Sequence, residues 1–226
     1  MNSAETTCSQ IDHDIVIRLG ECAIKNVKLH KFLGIKIDSK LLWKEQVKYI
    51  NSKISRSMGI IYKIKDNLTR DAKMILYYSL IYPHLQYCNL VWASAMKTVV
   101  QPLFILQKKI VRIISGAGYR DHTNPIFSEL GILKLDDIHR LELLKFVFNQ
   151  LQLPSVFTFV SISTLNFSTL RNKNLLRPPQ PKSETYKRFV IYSGCIEWNK
   201  LSDSLRSIQN EVTFKMNVKK YLLKET

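Results

Sequence analysis

Asp136 and Asp137 are adjacent carboxylates, the arrangement with which a strand turn holds the two metal ions of nucleotide polymerases. Their surroundings, Leu133-Lys134-Leu135-Asp136-Asp137-Ile138-His139-Arg140, lead straight into a helical pattern, and no upstream aspartate on an apolar strand offers a third ligand. The pair therefore reads as a helix cap. The histidines His13, His30, His84, His122 and His139 stand apart from one another. None forms the H-x-D pair of iron oxygenases, or the H-x-E with C-x-x-C of zinc deaminases. His122, between Asp121 and Thr123, reads as part of a surface hydrogen-bonding loop. A Gly-rich phosphate loop, G-x-S-x-G and H-E-x-x-H are all missing. Cys8, Cys22, Cys88 and Cys195 are scattered and read as thiols in a reducing compartment, not as a zinc site. The residues thus offer no catalytic group, no metal site and no cofactor.

What the sequence does offer is positive charge. The 226 residues carry a formal +16, well beyond the modest net charge that solubility asks for, which points to phosphate or anionic lipid as a partner. Residues 22–120 hold 18 Lys or Arg against the four acids Asp38, Glu45, Asp66 and Asp71, a net +14. The first 21 residues run the other way, with Glu5, Asp12, Asp14 and Glu21 against Arg18. At 46% hydrophobic and 23% charged, the composition is that of a folded chain with one good core or two small ones. The opening MNSAETTCSQ lacks the basic start and apolar centre of a signal peptide. Two uncharged runs, Met74 to Met96 and Phe146 to Leu170, are long enough to span a bilayer, but Pro83, His84, Gln86 and Asn89 break the first and several polar residues break the second. No membrane partner is expected.

The elements that carry these charges follow from periodicity. Residues 14–38 alternate and contain Gly20 and Gly34, which predicts short antiparallel strands with tight turns. A helix beginning near Leu42, capped by Asp38 or Ser39, buries Val47, Ile50, Ile54, Met58 and Ile61 and turns Lys44, Lys48, Arg56 and Lys63 elsewhere. Thr69 starts another helix, which Pro83 interrupts or ends. Tyr77, Tyr82, Tyr87 and Trp92 read as core in preference to base-stacking platforms. Pro102 is expected in the first turn of a helix ending at Ser115-Gly116, with Leu103, Leu106, Ile110 and Ile113 inward and Lys108, Lys109 and Arg112 outward. A short helix closes at Gly131, and a further one carries Ile138, Leu141, Leu144, Val147 and Phe148. Between Leu151 and Glu184 the prolines and polar residues predict a loop or linker. Residues 187–201 look strand-like and then helical, and a last helix spans about Thr213 to Lys224. The expected fold is mainly α: a helical bundle with a short N-terminal β hairpin and a loosely structured C-terminal region. The expected divisions are 1–40, 41–150, 151–186 and a small basic segment, 187–226.

Several stretches together resemble a known family. They are Lys31-Phe32-Leu33-Gly34-Ile35-Lys36-Ile37-Asp38, Leu42-Trp43-Lys44, Leu80-Ile81-Tyr82-Pro83-His84-Leu85-Gln86-Tyr87-Cys88, Val91-Trp92, Gln107-Lys108-Lys109 with Arg112, His122-Thr123 with Pro125, and Trp198-Asn199 with Leu201. Their order resembles the C-terminal part of the reverse transcriptases of non-LTR retrotransposons of the jockey and related LINE-like groups, from about Ile15 to Leu223. The resemblance implies that Phe32, Leu33 and Gly34 are the tip of a primer-grip hairpin, and that the following helices are a thumb lying along template and primer. It makes Lys44, Lys48, Lys53, Arg56, Lys63, Lys108, Lys109 and Arg112 candidates for contact with the backbone of RNA or of an RNA/DNA hybrid. Thr169-Leu170-Arg171 stands where the family often has a Thr-Arg pair. The family's catalytic x-D-D motif lies ahead of the FLG element, and this sequence starts after it. The expectation is therefore a truncated, inactive fragment. The alternatives are a thumb that acts in trans with a separate palm, or a non-catalytic relic whose exposed Phe32 and Trp43 favour self-association.

Overall fold

A computed structural model describes residues 17–24, 27–152, 175–176, 178–181 and 183–225. The chain is mainly α, with antiparallel hairpins ahead of the helices. The first hairpin pairs β1 (Ile17–Leu19) with β2 (Cys22–Ile24), and the second pairs β3 (Leu29–Phe32) with β4 (Ile35–Asp38). In the second, Phe32 faces Ile35, so Leu33 and Gly34 form a two-residue turn with φ of 46° and 82°. Two positive φ angles in succession give the turn whose twist matches the paired strands, and Gly34 occupies one of the two positions at no steric cost. Strand β4 turns Ile35 into the core, while all of β3 lies exposed.

Asp38 ends the hairpin and shapes the entry to the next element. Its carboxylate accepts the backbone N–H groups of Lys40 (3.2 Å), Leu42 (3.0 Å) and Trp43 (2.8 Å). Burial pushes this carboxyl up, but those N–H groups together outweigh it and hold the pKa below 3.8. The expected cap thus serves the loop and not the first helical turn, because Leu41 and Trp43 both take left-handed conformations before α1 (Lys44–Ile64) begins. Trp43, expected at the surface, is half-buried and packs against the core.

After a single 3₁₀ turn at Lys65–Asn67, Thr69 caps α2 (Arg70–Leu80) by accepting the N–H of Ala72 at 3.2 Å. Pro83 stands in the first turn of α3 (Tyr82–Gln86), and Cys88, at φ 48°, turns the chain into α4 (Asn89–Trp92). Helix α5 (Lys97–Ser115) starts five residues earlier than Pro102 predicts. A proline costs the helix one hydrogen bond, that of the Thr98 carbonyl, and α5 absorbs the loss at an exposed position near its start. Gly116, at φ 75°, ends it. Helix α6 (Thr123–Leu130) stops at Gly131, and α7 (Leu135–Gln152) follows with Asp136 and Asp137 in its first turn.

Of the expected loop, residues 153–174, which include Arg171, lie outside the described residues. Leu176 is buried, and Asn199 holds its backbone at both N–H (2.9 Å) and carbonyl (2.8 Å). The start of 187–201, read as strand-like, is instead a 3₁₀ turn at Tyr186–Arg188 and the first turn of α8 (Val190–Lys200), and the part read as helical continues that helix. Val190 and Ile191 favour strands in isolation, but packing on α7 decides. A short α9 (Asp203–Arg206) leads to α10 (Glu211–Glu225), where Asn210 accepts the N–H of Thr213 at 3.0 Å. One apolar cluster runs without a break from Ile35 to Leu222. The stacked rings of Phe148 and Phe214 (4.5 Å between centroids), with Trp198 beside them at 5.8 Å, join α7, α8 and α10.

Candidate nucleic-acid interface

The buried seam of α1 is Val47, Ile50, Ile54 and Ile61. At about 100° per residue, Lys44, Lys48, Arg56 and Lys63 fall within a sector of about 120° outside that seam, with Lys44 nearest its edge and Arg56 and Lys63 farthest from it. Lys44, Lys48, Arg56 and Lys63 are all exposed, and the row they form is about 28 Å long at 1.5 Å per residue. Glu45 is the one acid in the helix, in the first turn where the positive end of the dipole receives it. Lys53 does not join the row. It lies on the flank, with its Nζ 5.5 Å from the centroid of the Tyr49 ring, which Lys36 of β4 approaches at 5.2 Å. Nearby, burial first and the charge of Lys53 second hold the His84 imidazole below 6.5.

Helix α5 lies alongside α1 and points the same way. A groove of about 410 Å³ joins Lys44, Lys48 and Asn51 to Thr98, Val99 and Pro102 at the N-terminal ends of both helices. A second, of about 600 Å³, joins Gly59 and Tyr62 to Lys109, Arg112 and Gly116 at their C-terminal ends. The three basic residues of α5 are divided by this geometry. Lys109 turns into the second groove with Lys65 and Lys73. Lys108 lies on the other side, 4.5 Å above the ring of Phe104. Arg112 lines the groove while its Nε (3.0 Å) and Nη2 (2.8 Å) donate to the carbonyl of Asp121, which closes the turn after the helix. Lys36, Lys65, Lys73, Tyr62 and Tyr119 were not singled out from the sequence. The outward phase of Lys36 in β4, between inward Ile35 and Ile37, is the one signal that marked any of them.

The hairpin tip is tied to the helical body from above. Tyr87 donates its hydroxyl to the carbonyl of Leu33 at 2.6 Å, and its ring lies under Gly34. Phe32 and Leu33 remain 58% and 73% exposed. Of the four aromatic residues read as core, Tyr77 and Trp92 are fully buried and Tyr82 is half-buried, but Tyr87 is 54% exposed because it reaches out to the hairpin tip. Tyr77 accepts a hydrogen bond from Gln107, and burial pushes its hydroxyl pKa far up.

Asp136 and Asp137, read as a helix cap, lie inside the first turn of α7, which begins one residue earlier at Leu135. Asp137 lies 3.3 Å from Arg140, whose Nε reaches Glu197 of α8 at 2.8 Å, and Lys200 adds a further ion pair to Glu197 at 2.5 Å. Burial raises the Glu197 pKa, but Lys200 and Arg140 together bring it below 4.5. Among the described residues, no three His, Cys, Asp or Glu gather as a metal site, and no helix is long and apolar enough to cross a membrane.

Against this geometry stand two similar proteins. The chain is 31% identical over 118 residues, 50% of its length, to the RNA-directed DNA polymerase from mobile element jockey of Drosophila melanogaster. The chain contains a region related to the reverse transcriptase of a non-LTR retrotransposon. The corresponding jockey polymerase of Drosophila funebris is 27% identical over 112 residues, 48% of the chain. The matches span 13% and 12% of those two polymerases, so the chain corresponds to a small part of their length. No protein-family model and no solved structure matches it.

Proposed function

We propose that the α1–α5 pair is a thumb-like clamp for the sugar-phosphate backbone of RNA or of an RNA/DNA hybrid. In this reading the chain is the part of a retrotransposon polymerase that follows the palm and carries no polymerase chemistry of its own. The observation that carries the proposal is the row Lys44, Lys48, Arg56 and Lys63 along one exposed face of α1, with Lys44 and Lys48 lining the first groove beside α5 and Lys109 lining the second. A row of cations on a rigid helix neutralises successive phosphates without reading bases, so the binding is insensitive to sequence and strongly dependent on salt. The relatives, named as RNA-directed DNA polymerases, support a nucleic-acid partner.

The test is the affinity of the full chain for a labelled blunt RNA/DNA hybrid, measured by fluorescence anisotropy across a salt series. Replacing Lys44, Lys48, Arg56 and Lys63 by glutamate is expected to weaken binding and to flatten the dependence of log K on log salt by about 3, at roughly 0.7–0.9 for each phosphate no longer neutralised. Circular dichroism confirms that the exposed substitutions leave the fold intact. An unchanged slope removes α1 from the interface.

A second reading is favoured by the hairpin. Val27, Leu29, Phe32 and Leu33 expose apolar surface on and beside β3, and such surface is often covered by a partner. With Phe32, Leu33 and Gly34 in a primer-grip role, that partner is a palm on another segment or chain. Adding this protein to a palm fragment and measuring primer extension tests it. Absence of rescue refutes action in trans, and a dimer on a sizing column would assign the patch to self-association.

A further inference from the structure

We propose that the C-terminal end of the α1–α5 groove is a pocket for one unpaired nucleobase of the strand that the groove holds. This rests on the reading of the groove as a backbone clamp, and it adds a second kind of interaction to it.

The cavity there has a volume of about 600 Å³, within the range of about 300–1,000 Å³ common to small-ligand clefts. Its floor is apolar, made by half-buried Met58, Ile113 and Ala117, all packed on the core. Two tyrosines stand at its edge. Tyr62 is 57% exposed, and its ring meets the Nζ of Lys65 at 4.4 Å. Tyr119 is 81% exposed and has no ring or hydrogen-bond partner among the described residues. An aromatic face open to solvent beside cations is the arrangement on which single-stranded nucleic acids stack.

Gly59 is the more telling residue. It sits inside α1, where glycine weakens a helix relative to alanine, and its φ is not positive. A Cβ at this position would meet nothing within 4 Å, so neither backbone conformation nor close packing calls for a glycine. What the missing side chain leaves is open space at the cavity wall. Gly116, which its φ of 75° requires at the end of α5, also has nothing within 4 Å of a Cβ position, so it too leaves the cavity wall open.

Electrostatics separate a base from a phosphate here. Helices α1 and α5 both end at this cavity, and their last carbonyls carry partial negative charge. Those carbonyls are acceptors, which a base can meet with its N–H groups and a phosphate, having no N–H to give, cannot. Lys73 and Lys109 at the rim, neither in an ion pair among the described residues, are placed for the flanking phosphates.

The experiment uses the full chain and two RNA/DNA hybrids, one blunt and one with a three-nucleotide single-stranded extension carrying 2-aminopurine. The expected result is tighter binding of the extended hybrid, with quenching of the 2-aminopurine. Tyr62→Ala and Tyr119→Ala are each expected to weaken the extended hybrid about tenfold, to relieve the quenching and to leave the blunt hybrid unchanged, whereas Tyr→Phe at either site retains both properties. Gly59→Leu fills the cavity and should cause the same loss while the thermal midpoint stays level or rises. Equal binding of the two hybrids, or tyrosine variants that weaken both alike, overturns the pocket alone. A blunt hybrid that is not held at all overturns the groove, and the pocket with it.

Discussion

The docking of α8 on α7 can be tested at one atom. A Cβ added at Gly194 would lie 2.8 Å from Cγ2 of Val147 and 3.6 Å from Cδ1 of Leu143. Both neighbours are buried, and the χ1 angle of a helical valine has one strongly preferred value, so Val147 cannot swing aside freely. Gly194→Ala gains about 1 kcal/mol of helix propensity and incurs about 1–3 kcal/mol of overpacking, for a net loss of about 1 kcal/mol. Val147→Ala alone removes two methyl groups, about 1.6 kcal/mol at 0.8 per methylene-sized group. In the double variant the new methyl occupies the vacated space, so the two losses should fall short of additive by about 1–2 kcal/mol. Urea denaturation followed by far-ultraviolet circular dichroism measures all four proteins. If Gly194→Ala by itself stabilises the chain by about 1 kcal/mol, as it would in an isolated helix, the close crossing of α7 and α8 is wrong.

Three further outcomes are expected. Gln107 is buried and donates to both the Tyr77 hydroxyl (3.0 Å) and the Leu133 carbonyl (2.9 Å), so Gln107→Leu should cost about 2–4 kcal/mol in denaturation; adding Tyr77→Phe should return part of it. Burial holds the His139 imidazole, hydrogen-bonded to Asn89 at 2.8 Å, below its unfolded value of 6.5. Its folded pKa is depressed, so its contribution is complete above pH 6.5 and is lost as pH falls through the folded value. The thermal midpoint should therefore drop on acidification and drop less in His139→Gln, with His84→Gln, at a less buried site, changing the profile less; identical profiles would exclude His139. Gly34→Ala places a side chain at φ 82° and should cost roughly 1–2 kcal/mol of hairpin stability, read as faster hydrogen exchange at β3 and β4 with little change in the helices.

The sequence announced the helical seams because burial repeats at the period of the helix. Val47, Ile50, Ile54 and Ile61 show it in α1, and Phe214, Val218 and Leu222 show it in α10. Thr69, Gly116 and Gly131 announced helix ends, since each answers a local need of the backbone. Pro102 misled because a proline's exclusion from helix interiors is energetic and not absolute. The site was less legible than the fold. Lys108 and Lys109 are neighbours in sequence, yet about 100° of helical rotation sends one toward Phe104 and the other toward α1. That Arg112 reaches a carbonyl nine residues away, or that Lys53 joins Lys36 around Tyr49, depends on where a turn and a strand come to rest. Periodicity along one helix carries no information about such partners.

The parallel run of α1 and α5 gives the groove a direction that side chains alone would not. In an antiparallel pair the dipoles oppose, and each end of the groove mixes donor and acceptor backbone. Here both N-termini meet near Lys44, Lys48 and Thr98, where unpaired N–H groups and lysines attract anions together. Both C-termini meet near Tyr62 and Tyr119, where Lys65, Lys109 and Arg112 offset the carbonyl charge before they can add to any attraction for phosphate. Each cation is therefore worth more at the first end than at the second. It follows that Lys44→Gln and Lys48→Gln should weaken the blunt hybrid more than Lys65→Gln and Lys109→Gln. A reversed order would mean that side-chain charge, and not helix direction, sets the strength of the grip.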